Sequence, residues 1–196
     1  MKILFASSNK NKIREINSLL AGRHTVLGLE EAGITVEIPE TGSTLHENSF
    51  LKAKFVLEHF GEKSFADAVF ADDSGLEVEA LNGAPGVFSA RYAGIPKNDV
   101  SNNIKLLEEL KWTTNRKARF VTVITLIING EVHYFEGEIK GTIAQEPRGK
   151  NGFGYDPLFI PRGYRSTFAE LSAETKNAIS HRAIAVNKMV KFLEKF

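Results

Sequence analysis

The sequence predicts an α/β fold with a mixed sheet, and three observations carry that prediction. A short apolar run, Ile3 to Ala6, opens the chain and is followed at helical spacing by Ile13, Ile16, Leu19 and Leu20. A second apolar run, Ala68 to Ala71, leads into the alternating Leu76, Val78 and Ala80. Two stretches rich in β-branched and aromatic residues, Phe120 to Ile128 and Glu131 to Lys140, flank Asn129-Gly130, the strongest short-range hairpin signal. The first run reads as a buried strand, the polar segment after it as a loop, and the spaced apolar residues as a helix stopped by Gly22.

The remaining elements follow in order. Thr44 and Glu47 have capping-box spacing, and Leu45, Ser49, Ala53, Val56 and Phe60 then form a helical stripe closed by Gly61. That helix starts beside Glu40-Thr41-Gly42. The strand at Ala68 is expected to end in Asp72-Asp73-Ser74-Gly75, which places two acids at a strand terminus. After an irregular stretch containing Pro85-Gly86 and Ile95-Pro96, the residues Val100, Ile104, Leu107 and Leu110 mark a third helix by their spacing. The long hairpin comes next, then a strand near Leu158 to Ile160. A C-terminal helix begins about Ser180, with Ala183, Val186, Met189, Val190 and Leu193 inward. No linker, repeat or low-complexity tract interrupts the chain, so a single domain over residues 1–196 is expected.

Composition narrows the function. A chain of 196 residues buries roughly 70% of its unfolded surface, and 42% hydrophobic with 25% charged residues lies far from the disordered class. Lys plus Arg number 25 against 24 acids, a net charge of +1, which disfavours a nucleic-acid coat or an anionic membrane as partner. Zero cysteines exclude a disulfide framework, thiolate metal sites and a cysteine nucleophile, and fit a reducing compartment. No apolar run approaches ~18 residues, so no membrane span is expected and the cytoplasm is the default location.

Four segments could carry chemistry. Ser7-Ser8-Asn9-Lys10-Asn11-Lys12 lies between a strand and a helix, where backbone N–H groups and the helix dipole suit an anion; a plain polar N-cap with exposed lysines reads the same way. In Asp72-Asp73 one acid points to each face, so one can hold Mg²⁺ or polarise a water while the other caps the Ser74-Gly75 turn; Glu40 is a further oxygen donor. Histidine spacing suited to a transition metal is absent. Gly149 to Pro157 sets three glycines around Phe153 and Tyr155, a segment able to lay a ring against a flat ligand or simply to turn into a strand. Lys176, His181 and Arg182 gather around Ser180 at a helix start, where cations oppose the dipole and so call for an acceptor.

Taken together, these motifs resemble the inosine triphosphate pyrophosphatase family over nearly the whole chain. The matching stretches are Ser7-x-Asn9-x-x-Lys12, Glu40-Thr41-Gly42 with Glu47-Asn48 and Lys52-Ala53, and Ala71 to Leu76. Further on they are Gly83-Ala84-Pro85-Gly86 with Ser89-Ala90-Arg91-Tyr92, Gly152 to Pro157, and Lys176-Asn177 with Ile179 to Arg182. Leu45, His46 and Thr175, at flanking positions, depart from the usual pattern. The resemblance implies an elongated α/β domain of two lobes with flanking helices and a central cleft, a homodimer, and Mg²⁺-dependent hydrolysis of a nucleoside triphosphate to the monophosphate and pyrophosphate. It implies that Ser7, Ser8, Asn9, Lys10, Asn11 and Lys12, with Lys52, hold the phosphates, and that Glu40 and Asp73 serve the metal, Asp73 also accepting a proton. Ser74 would touch substrate and Phe153 would stack on the purine, with Gly154, Tyr155, Asp156, Lys176, His181 and Arg182 around the base and sugar.

Elementary chemistry agrees with this assignment. Phosphoanhydride cleavage needs neutralised oxygens and an oriented water, which a cation, lysines and a carboxylate base supply without a covalent nucleophile. Inosine and xanthosine offer a 6-oxo acceptor where adenosine offers a 6-amino donor, so a pocket of Lys, His and Arg donors favours the deaminated bases. Two other readings remain beside it: a related diphosphatase for other modified bases, and a nucleotide-binding module without turnover.

Overall fold

The computed structural model describes residues 1–35, 38–60 and 66–196. Its strands β1 (Lys2–Phe5), β2 (Thr25–Leu27), β3 (Ala68–Val78), β4 (Lys117–Ile128), β5 (Glu131–Ile143) and β6 (Phe159–Pro161) form one six-stranded sheet in the order β2-β1-β3-β4-β5-β6, and the chain clusters into two compact units.

The first unit comprises Met1–Asp73, Thr122–Gly137 and Ala183–Phe196. β1 (Lys2–Phe5) pairs in parallel with β2 (Thr25–Leu27) and with β3 (Ala68–Val78). α1 (Lys10–Leu20) connects β1 to β2, and α2 (Leu45–Phe60) precedes β3. Strand alternation divides the apolar residues between two faces of this part of the sheet. Ile3, Phe5 and Phe70 meet Ile16 and Leu20 of α1 together with Val186, Met189 and Val190 of the C-terminal helix, and the Phe5 and Phe70 rings stack at 4.6 Å. Leu4, Val69 and Ala71 face the other way, onto Ala53 and Val56 of α2. Thr44 caps α2 by accepting the Glu47 N–H at 3.1 Å, as its spacing predicts. The Glu47 carboxylate, however, reaches the N–H of Ser43, at 2.6 Å, one residue upstream of the box partner. The expected closure of α2 at Gly61, like the place of the Phe60 side chain in its stripe, lies outside the described residues.

The second unit comprises Ser74–Val121 and Glu138–Arg182. Leu76, Val78, Phe120, Ile143, Leu158, Phe159 and Phe168 form its core with Leu106 and Leu110 of α3 (Asp99–Glu109) and the residue after it. The hairpin stands as expected, with β4 (Lys117–Ile128) and β5 (Glu131–Ile143) joined at Asn129 and Gly130, both at positive φ. β6 (Phe159–Pro161) adds antiparallel to β5. α4 (Ala173–Ile179) and α5 (His181–Leu193) end the chain, the inward residues of α5 being those its period predicts. Among the described residues no helix is long and apolar enough to cross a membrane.

Three expectations need correction. Asp72-Asp73-Ser74-Gly75 is neither a strand end nor a turn: β3 runs unbroken from Ala68 to Val78 through all four residues. Both acids are buried, and each meets a lysine that offsets the cost of placing a charge inside a strand. In α3 the expected stripe holds at Leu107 and Leu110, which pack in the core, but its first half is turned outward, with Val100 67% and Ile104 52% exposed, while Asn102 and Asn103 are buried instead. Burial is possible there because their amides bind backbone: Asn102 takes the Ala93 N–H and gives to the carbonyls of Ser89 and Ala90. Finally, Lys176 does not stand at a helix start but in the last turn of α4, where a cation agrees with the helix dipole.

Candidate functional site

In the first unit the alternation of β3 sends its two acids to different lysines. Asp72, on the Phe70 face, receives the ammonium of Lys12 from α1 at 3.0 Å, and its own carbonyl lies 3.5 Å from the same Nζ. Asp73, on the face of Val69 and Ala71, receives Lys52 of α2 at 2.9 Å, and that ammonium is also 3.4 Å from Glu40. Burial by itself would lower the Lys52 pKa; the charges of Asp73, Asp72 and Glu40 outweigh it and hold the ammonium above its usual range. Glu40 is positioned by the turn that starts α2, where the Gly42 N–H donates to Asn48 at 2.8 Å. A Cβ on Gly42 would stand 2.7 Å from that Asn48 oxygen, so the turn closes only with glycine.

The loop before α1 is organised by its own side chains. Asn9 caps the helix, its oxygen accepting the N–H groups of Asn11 at 3.0 Å and Lys12 at 3.2 Å, and the Asn9 N–H goes to Ser7 Oγ. The N–H groups of Asn11 and Lys12 are therefore already paired rather than open to an anion. Ser8, Asn9 and Lys10 are exposed, and Ser7, Asn11 and Lys12 half-buried.

The second unit assembles the other predicted residues around one carboxylate. Asp156, 2% exposed, accepts the Lys176 ammonium at 2.6 Å and the Phe153 N–H at 2.8 Å on the same oxygen. The carboxylate presses so closely under Gly152 that a Cβ there would meet it at 2.0 Å, and φ at Gly152 is +75° besides. The Phe153 ring, half-buried, has Lys176 Nζ 5.0 Å and the Arg182 guanidinium 5.8 Å from its centre. Arg182, itself fully buried, donates to Ser74 Oγ at 3.1 Å. His181 stacks on Phe120 with ring centres 4.6 Å apart. Tyr155 turns inward: its hydroxyl donates to the Ser89 carbonyl at 2.9 Å, and burial pushes its pKa up. Gly154 follows Phe153 with its N–H on Asp99 and its carbonyl on Asn103.

Each predicted residue thus falls into one of two groups. Ser7 to Lys12, Glu40, Lys52 and Asp73 belong to the first unit, and Ser74, Phe153 to Asp156, Lys176, His181 and Arg182 to the second. Sequence reasoning missed three contributors: Asp72 as the seat of Lys12, Asn48 as the clasp on Gly42, and the pair Asp99 and Asn103. Only Asn48 carried a signal, since an amide inside an otherwise apolar stripe is a buried polar group in need of a partner. Chemically, the first group offers lysines to an anion and hard carboxylate oxygens to a cation. The second offers a ring face edged by two cationic donors. Among the described residues no three His, Cys, Asp or Glu gather to hold a metal by themselves.

A mixed α/β sheet carries lysine-seated acids in one unit and a cation-flanked ring in the other. More particularly, the chain belongs to the Ham1 family, whose model matches residues 3–192. The resemblance read from the motifs is borne out by its relatives. A protein of Porphyromonas gingivalis named dITP/XTP pyrophosphatase is 53% identical over 193 residues, covering 98% of this chain and 97% of its own. One of Flavobacterium psychrophilum with the same name is 50% identical over 99% of this chain and 100% of its own. Among solved structures, the Ham1 protein of Staphylococcus aureus is 43% identical with a TM-score of 0.86, covering 100% of this chain and 99% of its own. A HAM1 protein of Coxiella burnetii is 40% identical with a TM-score of 0.87, over 100% of both chains.

Proposed function

We propose that the protein hydrolyses deaminated purine nucleoside triphosphates, dITP, XTP and ITP, to the monophosphate and pyrophosphate, and so clears them from the nucleotide pool. The name borne by relatives about half identical over their full length supports the reaction. The observation that carries it in this chain is the buried Lys52 ammonium held between Glu40 and Asp73. Two carboxylates that already grip one cation are a donor set suited to Mg²⁺, which usually takes one or two carboxylates and completes its shell with phosphate and water oxygens. Bound there, Mg²⁺ would neutralise phosphate oxygens and polarise the attacking water.

The residues of the chain do the rest. Lys12 and Lys52 exchange their carboxylate partners for phosphate oxygens as the triphosphate arrives. Asp73, relieved of Lys52, takes a proton from the water whose oxygen bonds to the α-phosphorus. The bond to the bridging oxygen breaks, and pyrophosphate leaves with its electron pair. Phe153 stacks on the base, while Lys176 and Arg182 donate to the 6-oxo group that adenine lacks. The exposed apolar side chains of Phe88, Ile95, Val100 and Ile104 support a homodimer, and a substrate drawn from the nucleotide pool supports a cytoplasmic location.

The test is pyrophosphate release from dITP, XTP, ITP and ATP with and without Mg²⁺. Metal-dependent release from the first three with little from ATP is expected. Binding without release would leave a nucleotide-binding module, and preference for another modified base would make the protein a different diphosphatase.

A further inference from the structure

We propose that Asp99 and Asn103, one turn apart on α3, are positioning residues for base recognition, because together they hold the backbone that aims the Phe153 ring. The inference rests on the reading of Phe153 as the base-stacking residue. Phe153 sits between two glycines at positive φ, Gly152 at +75° and Gly154 at +61°. Glycine has the widest conformational freedom of any residue, so a ring flanked by two of them is poorly aimed unless other bonds fix the segment. Three side-chain bonds do so. On the near side Asp156 takes the Phe153 N–H at 2.8 Å. On the far side Asp99 takes the Gly154 N–H at 2.7 Å, and Asn103 donates to the Gly154 carbonyl at 3.0 Å. Residue 154 is thus gripped at both its polar groups by side chains at i and i+4 of one helix, a spacing that places them on one face.

Nothing else explains the pair so well. A Cβ at Gly154 would find open space, so packing leaves the segment unfixed there and hydrogen bonds must hold it. Asn103 is 7% exposed, and an amide is buried at a core-facing helical position only at a cost unless it is bonded. Its bond is to the loop that carries the ring. Asp99 and Asn103 stabilise the bound orientation before the base arrives, which lowers the ordering cost of binding; neither touches the reacting phosphates.

The test compares nucleotides with a base-free ligand. Steady-state kinetics are measured on dITP and XTP, and inhibition by inorganic tripolyphosphate reports on the phosphate end alone. Asp99→Ala and Asn103→Ala should each raise KM for both nucleotides by roughly tenfold, the loss of one charge-assisted or buried bond, with kcat within about twofold and tripolyphosphate inhibition unchanged. Asp99→Asn, which keeps an acceptor for the Gly154 N–H, should recover much of the loss. Phe153→Ala is the reference. If it raises KM while Asp99→Ala and Asn103→Ala leave KM near wild type, the positioning role is wrong and the stacking role stands. If Phe153→Ala leaves KM unchanged, the stacking role falls and this inference with it. A rise in KM matched by equal weakening of tripolyphosphate marks general damage and also overturns it.

Discussion

The two groups of candidate residues are built by different means. In the first unit all but one of the charged partners stand on regular elements, Lys12 on α1, Lys52 on α2, and Asp72 and Asp73 on successive positions of β3, while Glu40 lies in the segment before α2. In the second unit Phe153 and Asp156 lie in a turn, and Lys176 stands in the last turn of a short helix. There the geometry comes from side chains bonded to backbone, Asp156 to Phe153 and Asp99 with Asn103 to Gly154. The difference suits what each group is proposed to recognise. A phosphate chain presents charge in many directions and is met by point charges on a rigid frame. A purine presents one plane and one edge, and the donors around it must be oriented within a narrow angle.

The largest effect should come from the rigid group. Asp73→Asn keeps the shape and removes both the proposed proton acceptor and one of the two acids on Lys52, so turnover of dITP should fall ~10²- to 10⁴-fold. Removing one partner of a buried ion pair also destabilises, by ~3 to 5 kcal/mol, so the melting temperature should drop as well. Activity must therefore be read well below it. Near-normal turnover at saturating Mg²⁺ would move the role elsewhere, Asp72 first.

The next effects should separate the groups. Phe153→Ala loses a stacking contact worth ~1 to 3 kcal/mol and should raise KM for every purine triphosphate, leaving tripolyphosphate inhibition intact. Lys12→Ala should weaken dITP, XTP, ATP and tripolyphosphate by similar factors, because all share the phosphates. A strong change in the dITP to ATP ratio in Lys12→Ala would reverse the assignment of the two ends. Smaller again is Arg182→Ala, expected to lower selectivity for dITP over ATP by roughly tenfold, the value of one charged donor facing a 6-oxo acceptor. Its burial and its bond to Ser74 make the ratio of kcat/KM values, rather than either value alone, the measurement that decides.

The same contrast explains what could be read from sequence. Period is a local property, so β1, α1, the hairpin at Asn129-Gly130 and the inward face of α5 were legible from spacing alone. Pairing is not local. Asp72-Asp73-Ser74-Gly75 has the composition of a turn, and only lysines 60 and 21 residues away allow β3 to carry it straight through. Likewise α3 places amides rather than Val100 and Ile104 inward, because the groups they bond arrive from distant segments. The residue types of the site were legible from its motifs, whereas the partners that fix them, Asp72, Asp99 and Asn103, were not.

The smallest effect concerns pH and tests whether Lys52 is held as described. Its pKa is raised above the ordinary 10.5 because the surrounding carboxylates outweigh burial. A base with a raised folded pKa contributes stability that is fully present below its unfolded pKa and is lost as pH rises through the folded one. The contribution is therefore constant across neutral pH and disappears only in the alkaline range. Tyr155, buried and also raised, loses stability over the same range, so the wild-type curve alone does not isolate Lys52. The difference in urea midpoint between wild type and Lys52→Met removes that background. It should be widest and flat from pH 7 to about 10 and should narrow at higher pH as the wild-type ammonium is lost. A gap that stays constant to the alkaline limit would mean that the Lys52 ammonium does not support the fold through its charge, and the account of Glu40 and Asp73 as a cation-gripping pair would lose its footing.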